Sequence, residues 1–316
     1  MNIRDNVVET VIRLNRRTGV ATADMLGWLG IGSAKYYNWV NRRGLESRHN
    51  GAIPKSHWMT PDEQSAILAF FELHRSEGYR RLAWMMVDFN IAHVSPSTVY
   101  RVLKKSGALQ RWNTAKASSK NKGFNQPTAP HQHRHVDISY IRIHSVFYYL
   151  ICVLDGYSRY IVHFELRESM TELDVQITLQ RAHERYPHAR PRIISDNGAQ
   201  FICHDFRNFV QSCNFTHVRT SVNYPQSNGK IERFHKSIKQ EHVRRTPYLS
   251  LRDAQLKMAE WIDYYYHERL HSAISYLTPF DMLSGRAEEK LEQRRIKLAQ
   301  AAKRRKEKNR EIIQAA

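Results

Sequence analysis

From residue 133 to residue 166 the chain carries three β-type runs, at about 133–143, 146–154 and 159–166, joined by connections of only a few residues. Connections this short join antiparallel neighbours, so the three runs are expected to form a meander. The pattern then changes. A helix at about 171–186 leads to a strand at 191–196, a helix near 203–213 leads to a short strand at 216–220, and a helix from Lys230 closes the unit. The order βββαβαβα predicts an α/β unit in which one sheet is flanked by helices.

Three acidic residues stand at informative places in this order. Asp137 lies inside the run His135-Val-Asp-Ile-Ser-Tyr-Ile141, Asp196 ends Arg192-Ile-Ile-Ser-Asp196 and is followed by the turn signal Asn197-Gly198, and Glu232 opens the last helix. Thirty-five residues separate Asp196 from Glu232. Two strand-borne aspartates and a helix-borne glutamate can converge on two divalent ions roughly 3.5–4 Å apart, a clamp for in-line phosphoryl transfer. Taken singly, Asp196 could cap a turn, Glu232 could be a first-turn helix acid and Asp137 an edge charge. The joint spacing and the flanking motifs favour catalysis.

Those motifs are Asp-Ile-Ser-Tyr at 137–140, Ser-Asp-Asn-Gly-Ala-Gln-Phe at 195–201, Tyr-Pro-Gln-Ser-Asn-Gly-Lys-Ile-Glu-Arg-Phe at 224–234, and Tyr-Tyr-Tyr-His-Glu-Arg-Leu-His at 264–271 followed by Leu277-Thr-Pro279. With them the chain resembles the DDE transposases of bacterial insertion sequences, in particular the insertion sequence 3 family, whose core is similar to retroviral integrase. With a helix-turn-helix-like stretch near 79–109, the resemblance covers most of residues 60–285. It departs from the family at His133 and His135, where a Trp usually precedes the first aspartate; the change should alter packing beside the site.

The resemblance implies an RNase H-like mixed five-stranded sheet flanked by helices, preceded by small all-α helix-turn-helix domains. Its first and fourth strands would be neighbours, bringing Asp137 beside Asp196. It further implies a transposase that binds the ends of a mobile DNA element, hydrolyses one strand to free a 3′-hydroxyl, and uses that hydroxyl in strand transfer. Two Mg²⁺ (or Mn²⁺) ions would be held with Asp137 bridging, Asp196 completing one site and Glu232 the other. Lys236 and Lys239, at i+4 and i+7 from Glu232, would contact the DNA end, although Glu232 and Lys236 also suit a simple helical ion pair. The loop 223–229, Asn228 included, would set the scissile phosphate in place. The implied partners are double-stranded DNA, both element ends and target, and further copies of the chain on that DNA, in the bacterial cytoplasm at the nucleoid. A nuclease of the same fold without transposition, and a domesticated DNA-binding regulator, are the competing readings. Two helix-turn-helix candidates argue against the first and the full acid set against the second.

Composition points the same way. A net charge of +19 marks an anionic polymer as partner, and 41% hydrophobic residues suffice for a real core. No apolar run reaches the roughly 18–20 residues of a membrane span, so no membrane partner is expected. Cys152, Cys203 and Cys213 show neither disulfide nor zinc spacing. His131, His133 and His135 alternate on a strand, and His267 and His271 are i,i+4 on a helix; packing or phosphate contact suits them better than zinc. No G-x-x-x-x-G-K loop occurs, so no nucleotide cofactor is implied.

Around the catalytic core, expected at 131–247, the chain divides further. Residues 1–50 read as a helix-turn-helix domain. Its second helix, capped at Ser33, would offer Lys35 and Tyr36 to DNA. After a linker at 51–59, Thr60-Pro-Asp-Glu63 forms a capping box and opens a second such domain over 60–109. There Ser95 caps a basic helix carrying Ser97, Arg101, Lys104 and Lys105, the lysines suiting phosphate contacts. Residues 110–130, with Arg111, Lys116, Lys120 and Lys122, read as a basic linker, and 248–285 as a helical extension of the core. Residues 286–316 hold eleven Lys/Arg against five Glu and only a thin apolar stripe, the pattern of a basic helical or disordered tail.

Overall fold

The computed structural model describes residues 3–45, 55, 57–109, 126–220 and 228–315. The linker residues Arg111, Lys116, Lys120 and Lys122, and positions 223–227 of the loop before Glu232, lie outside the described residues. The chain divides into two compact units, residues 1–55 with 307–316 and residues 56–306. No helix among the described residues is long and apolar enough to cross a membrane.

In the first unit, α1 (Ile3–Thr18), α2 (Thr22–Trp28) and α3 (Ser33–Asn41) enclose a small core of Val8, Val11, Met25, Leu26 and Tyr36. Gly30 at φ 65° makes the turn between α2 and α3 in the left-handed region that favours glycine. The cap of α3 is Gly32 and not Ser33, which is already the first helical residue; Gly32 sits in extended conformation with no side chain to accept a bond.

The second unit begins with α4 (Pro61–Leu73), α5 (Tyr79–Asp88) and α6 (Pro96–Lys105). The Thr60–Glu63 capping box forms as expected: Glu63 N–H donates to Thr60 Oγ1 at 3.3 Å and Thr60 N–H to Glu63 Oε2 at 3.2 Å. Ser95 likewise accepts from the Thr98 amide. The three helices close over Ile67, Leu82, Met86, Val99 and Leu103.

The sheet follows, with β1 (His133–Ile143), β2 (Val146–Asp155), β3 (Ile161–Arg167), β4 (Arg192–Ser195) and β5 (Thr216–Arg219) in the order β3-β2-β1-β4-β5. The first three strands pair antiparallel, whereas β4 pairs parallel with β1 and β5 parallel with β4. This is the mixed five-stranded sheet flanked by helices of an RNase H-like fold. The third strand starts at Ile161, later than expected, because Asp155 organises the preceding turn. Its carboxylate accepts from the Ser158 amide at 2.7 Å and the Ser158 hydroxyl at 2.6 Å.

Helices cover both faces. On one side α7 (Glu172–Glu184), the single turn α8 (Ala199–Ile202) and α9 (His204–Ser212) pack on Val136, Ile151, Val153 and Val162. On the other, α10 (Gly229–Ile238), followed by a π turn at Lys239–Val243, and α11 (Leu251–His267) pack on Ile141, Leu150, Cys152 and Leu154. Alternation along β2 feeds both cores, and a strand buried on both faces reads as a continuous apolar run. The same period turns Asp137, next to Val136, toward α10.

Beyond a 3₁₀ turn at Ser272–Ile274 come α12 (Pro279–Leu283) and α13 (Ala287–Ala315). The segment read as a basic helical or disordered tail is thus a continuous helix. Within the second unit it packs through charge. Arg294, 4% exposed, donates to both Asp88 oxygens at 2.8 and 2.6 Å and to the Tyr276 carbonyl at 2.7 Å, with Trp84 under its guanidinium. Arg305 pairs with the capping residue Glu63 at 2.8 Å.

Candidate active site

The three acids arrive from three elements. In the parallel pairing His135 lies opposite Ile194, so Asp137 and Asp196, each two residues further on, come level across the β1–β4 boundary. Asp196 falls just past β4, where its Oδ1 accepts from the Gly198 amide at 3.0 Å. Two bonds fix the turn around it: Asn197 Nδ2 donates to Thr220 O at 2.8 Å, and Ser195 Oγ lies 2.9 Å from His217 Nε2. Glu232 stands in the first turn of α10, exposed.

A pocket of about 400 Å³ opens where α10 crosses β1, lined by Asp137, Ser139, Glu232, His235, Lys236, Lys239 and Arg244 among others. Asp137 and Glu232 therefore share one cavity with two of the cations expected at the DNA end. Asp196 is not in its wall, but its charge reaches the site. The Glu232 carboxyl is held above its ordinary value by partial burial, then by the charges of Asp137 and Asp196, against the opposing effect of His235. Lys239 is held below its ordinary value by burial, with Asp137 opposing and Arg244 adding to the shift.

Among the described residues, no group of three or more His, Cys, Asp and Glu side chains stands close enough to hold a metal ion. The donor chemistry nonetheless fits a hard divalent cation. The set is all carboxylate oxygen, and a bound cation would offset the negative charges of Asp137 and Asp196 that help hold the Glu232 carboxyl up.

His235 was not anticipated. It is buried, with Nδ1 3.3 Å from Asp137 Oδ2, and its Nε2 has no hydrogen-bond partner among the described residues. The available signal was its spacing: i+3 from Glu232 on a helix puts both on one face.

Two expected DNA contacts are corrected. Tyr36 is 3% exposed in the core of the first unit, so its ring is spent on packing and cannot reach a base edge; Tyr37 beside it is 57% exposed. Asn228 is 3% exposed, and its Oδ1 lies 3.3 Å from His135 Nδ1. Burial drives His135 down to about 3, so the ring is neutral and its Nδ1–H donates to Asn228. His135 thus ties β1 to the start of α10. Gly156 belongs to the same contact, since a Cβ there would meet His135 Nε2 at 3.0 Å and His133 Cβ at 3.2 Å. Lys230 Nζ donates to Gly156 O at 2.8 Å, and burial, then the Arg159 charge, lowers it to about 7. Lys35, Ser97, Arg101, Lys104 and Lys105 are all exposed. Lys35 lies over the Trp39 ring, and Arg101 donates to Ser97 O and Thr98 Oγ1 within α6.

Residues 127–225 and 214–279 match two family models, both described as integrase core domain. Over 106 residues the chain is 36% identical to an uncharacterized protein of insertion element IS136 from Agrobacterium fabrum, covering 33% of this chain and 52% of that protein. It is 24% identical over 156 residues to the transposase for insertion sequence element IS904 from Lactococcus lactis, covering 49% and 62%. It is 22% identical over 267 residues to an uncharacterized 31 kDa protein of insertion element IS600 from Shigella sonnei, covering 79% and 94%. The chain spans 29% to 62% of the length of the first curated relatives it matches. Among solved structures, the HTLV-2 integrase catalytic core domain in complex with magnesium is similar at 17% identity and a TM-score of 0.41, covering 49% of this chain and 97% of that one.

Proposed function

Residues 127–279 of this chain belong to the integrase catalytic-core superfamily, and from that premise we propose that the protein is the transposase of a bacterial insertion sequence of the insertion sequence 3 type. It binds the ends of its element, cleaves one strand to free a 3′-hydroxyl, and joins that hydroxyl to target DNA. Asp137, Asp196 and Glu232 are its catalytic acids. They would hold two Mg²⁺ or Mn²⁺ ions, and the chemistry supplied there is polarisation of the scissile phosphodiester and activation of an oxygen nucleophile.

The observation that carries this reading is the shared pocket, in which two acids from separate elements face a row of cations on α10 and the π turn that follows it. Cations and anions so arranged suit a substrate that is itself a polyanion and must bring one phosphate to the carboxylates. Lys236 and Lys239 hold the phosphates beside the reacting one. His235, whose Nδ1 stands 3.3 Å from Asp137 Oδ2, limits the rotamers open to that carboxylate. Lys35 in the first unit, and Ser97, Arg101, Lys104 and Lys105 on α6, meet the DNA backbone further along, and several copies of the chain assemble on the DNA to bring both element ends together. Backbone neutralisation by such residues supplies affinity without reading sequence.

The test uses labelled element ends with Mg²⁺ or Mn²⁺, scored for nicked and joined products. Asp137→Asn, Asp196→Asn and Glu232→Gln should each abolish both products while leaving DNA affinity nearly unchanged. Residual cleavage above about one per cent in a single variant would remove that residue from the catalytic set, since the loss of metal catalysis is worth several kcal/mol.

A further inference from the structure

Helix α10 does not end as an α-helix. It runs into the π turn Lys239–Val243, closed by the Arg244 N–H donating to the Lys239 carbonyl at 3.0 Å. A π turn inserts one residue into the helical register. In an uninterrupted α-helix, positions 232, 236, 239 and 243 would recur on one face. Position 243 is a valine, and in this structure it packs against the apolar core between α10, α11 and the sheet. Arg244 stands in the pocket wall instead, with Asp137, Glu232, Lys236 and Lys239. The extra residue exchanges an apolar side chain for a cation at the rim of the acid site.

The Arg244 side chain is exposed, and no carboxylate among the described residues pairs with it. The turn that presents it is tied down from elsewhere. Glu241, inside the π turn, accepts two bonds from Arg269, one of them from Nε at 2.6 Å, and Arg269 is 5% exposed with its guanidinium over the Tyr265 ring. A planar guanidinium gripping both carboxylate oxygens fixes orientation as well as distance. The segment after α11 therefore holds the shape of the turn after α10.

We infer that Arg244 is a third phosphate-binding cation of this site, taking a DNA backbone phosphate next to those met by Lys236 and Lys239, and that the Arg269–Glu241 pair keeps it there. The inference rests on the proposed function, because it takes the occupant of the pocket to be DNA. A guanidinium suits the role, since it can offer two parallel N–H donors to one phosphate.

The test measures the affinity of the full chain for a DNA duplex of arbitrary sequence as a function of salt. Each phosphate contact contributes about 0.9 to the slope of log affinity against log salt. Arg244→Gln should lower the slope by about 0.9, with the melting temperature unchanged because the side chain is exposed. Arg269→Lys keeps the charge but loses the two-pronged grip; it should lower the slope similarly, and the double variant should fall no further than either single one. If Arg269→Lys melts early, Glu241→Gln, on the more exposed partner, takes its place in the cycle. A slope unchanged in Arg244→Gln, with cleavage of element ends retained by the wild type, overturns the inference and leaves the proposed function standing. A wild type without salt-dependent duplex affinity overturns both.

Discussion

Replacing Arg294 tests whether α13 is a working part of the second unit. Its guanidinium makes two bonds to Asp88, one each to the carbonyls of Ser275 and Tyr276, and covers the Trp84 ring. It therefore joins α5, the turn after α11, and α13 through one side chain. Arg294→Met keeps the aliphatic stem and removes every one of these bonds. Breaking a fully buried ion pair costs about 3–5 kcal/mol. Asp88, however, is 30% exposed, so water can take over its oxygens and the expected loss is nearer about 2–3 kcal/mol. For a unit of this size each kcal/mol moves the melting temperature by roughly 2–4 °C, so Arg294→Met should melt about 4–12 °C earlier. Thermal unfolding followed by far-ultraviolet circular dichroism measures this. Asp88→Asn should lose less, and the double variant should lose less than the sum of the two, as expected for residues in contact. A fall of under about 2 °C in Arg294→Met would show that the helix does not depend on this clamp.

Two further outcomes follow from named contacts. Burial alone would raise Glu165, but bonds from His163, Arg167 and Arg181 bring it down to about 2; burial likewise opposes Asp174, which bonds from Ser169, Thr171 and Arg167 bring to about 2. A carboxyl depressed in the folded state stabilises the fold above its unfolded value, and that stability is lost as pH falls from the ordinary carboxylate range near 4 toward 2; Glu165→Gln should flatten the decline in melts across that window, and an unaltered profile would refute the network's role. In the first unit, Tyr36→Ala should destabilise the three-helix core by about 3 kcal/mol or more, whereas Lys35→Ala should weaken DNA binding without a change in melting; the reverse pattern in gel shifts and melts would restore Tyr36 as a contact.

Much of the core was legible in the sequence because its signals are local and periodic. Short connections forced β1–β3 into a meander. The capping box at Thr60 and the cap at Ser95 were readable because each is a bond between residues three apart. What stayed hidden depends on contacts distant in sequence. Helix α13 packs through Arg294 and Arg305, so its interior face looks like solvated charge; of Leu291, Ile296, Leu298 and Ile312, the apolar residues that suggested a stripe, only Leu298 is partly buried, the others being 40%, 44% and 49% exposed. Tyr36 reads as a surface residue from its polar neighbours, yet the small first unit needs its ring for a core. The π turn has no compositional mark, and a straight helical projection would have put Val243 at the pocket and missed Arg244. His235 was within reach by spacing from Glu232, but its approach to Asp137 required the sheet.

The central claim is that Asp137, Asp196 and Glu232 act together on divalent metal. The most direct measurement is the melting temperature of the full chain with and without Mg²⁺ or Mn²⁺, for the wild type and for Asp137→Asn, Asp196→Asn and Glu232→Gln. A ligand that binds only the folded state stabilises it, by about 2.7 kcal/mol at a hundred times its dissociation constant. The wild type should therefore melt later with metal, and each variant should lose most of that rise. Without metal, Glu232→Gln should melt at the same temperature or later, since it removes a charge that burial and its acidic neighbours oppose. A wild type indifferent to both metals, with Asp137→Asn and Glu232→Gln destabilised in their absence, would mean that these acids are structural and would contradict the account.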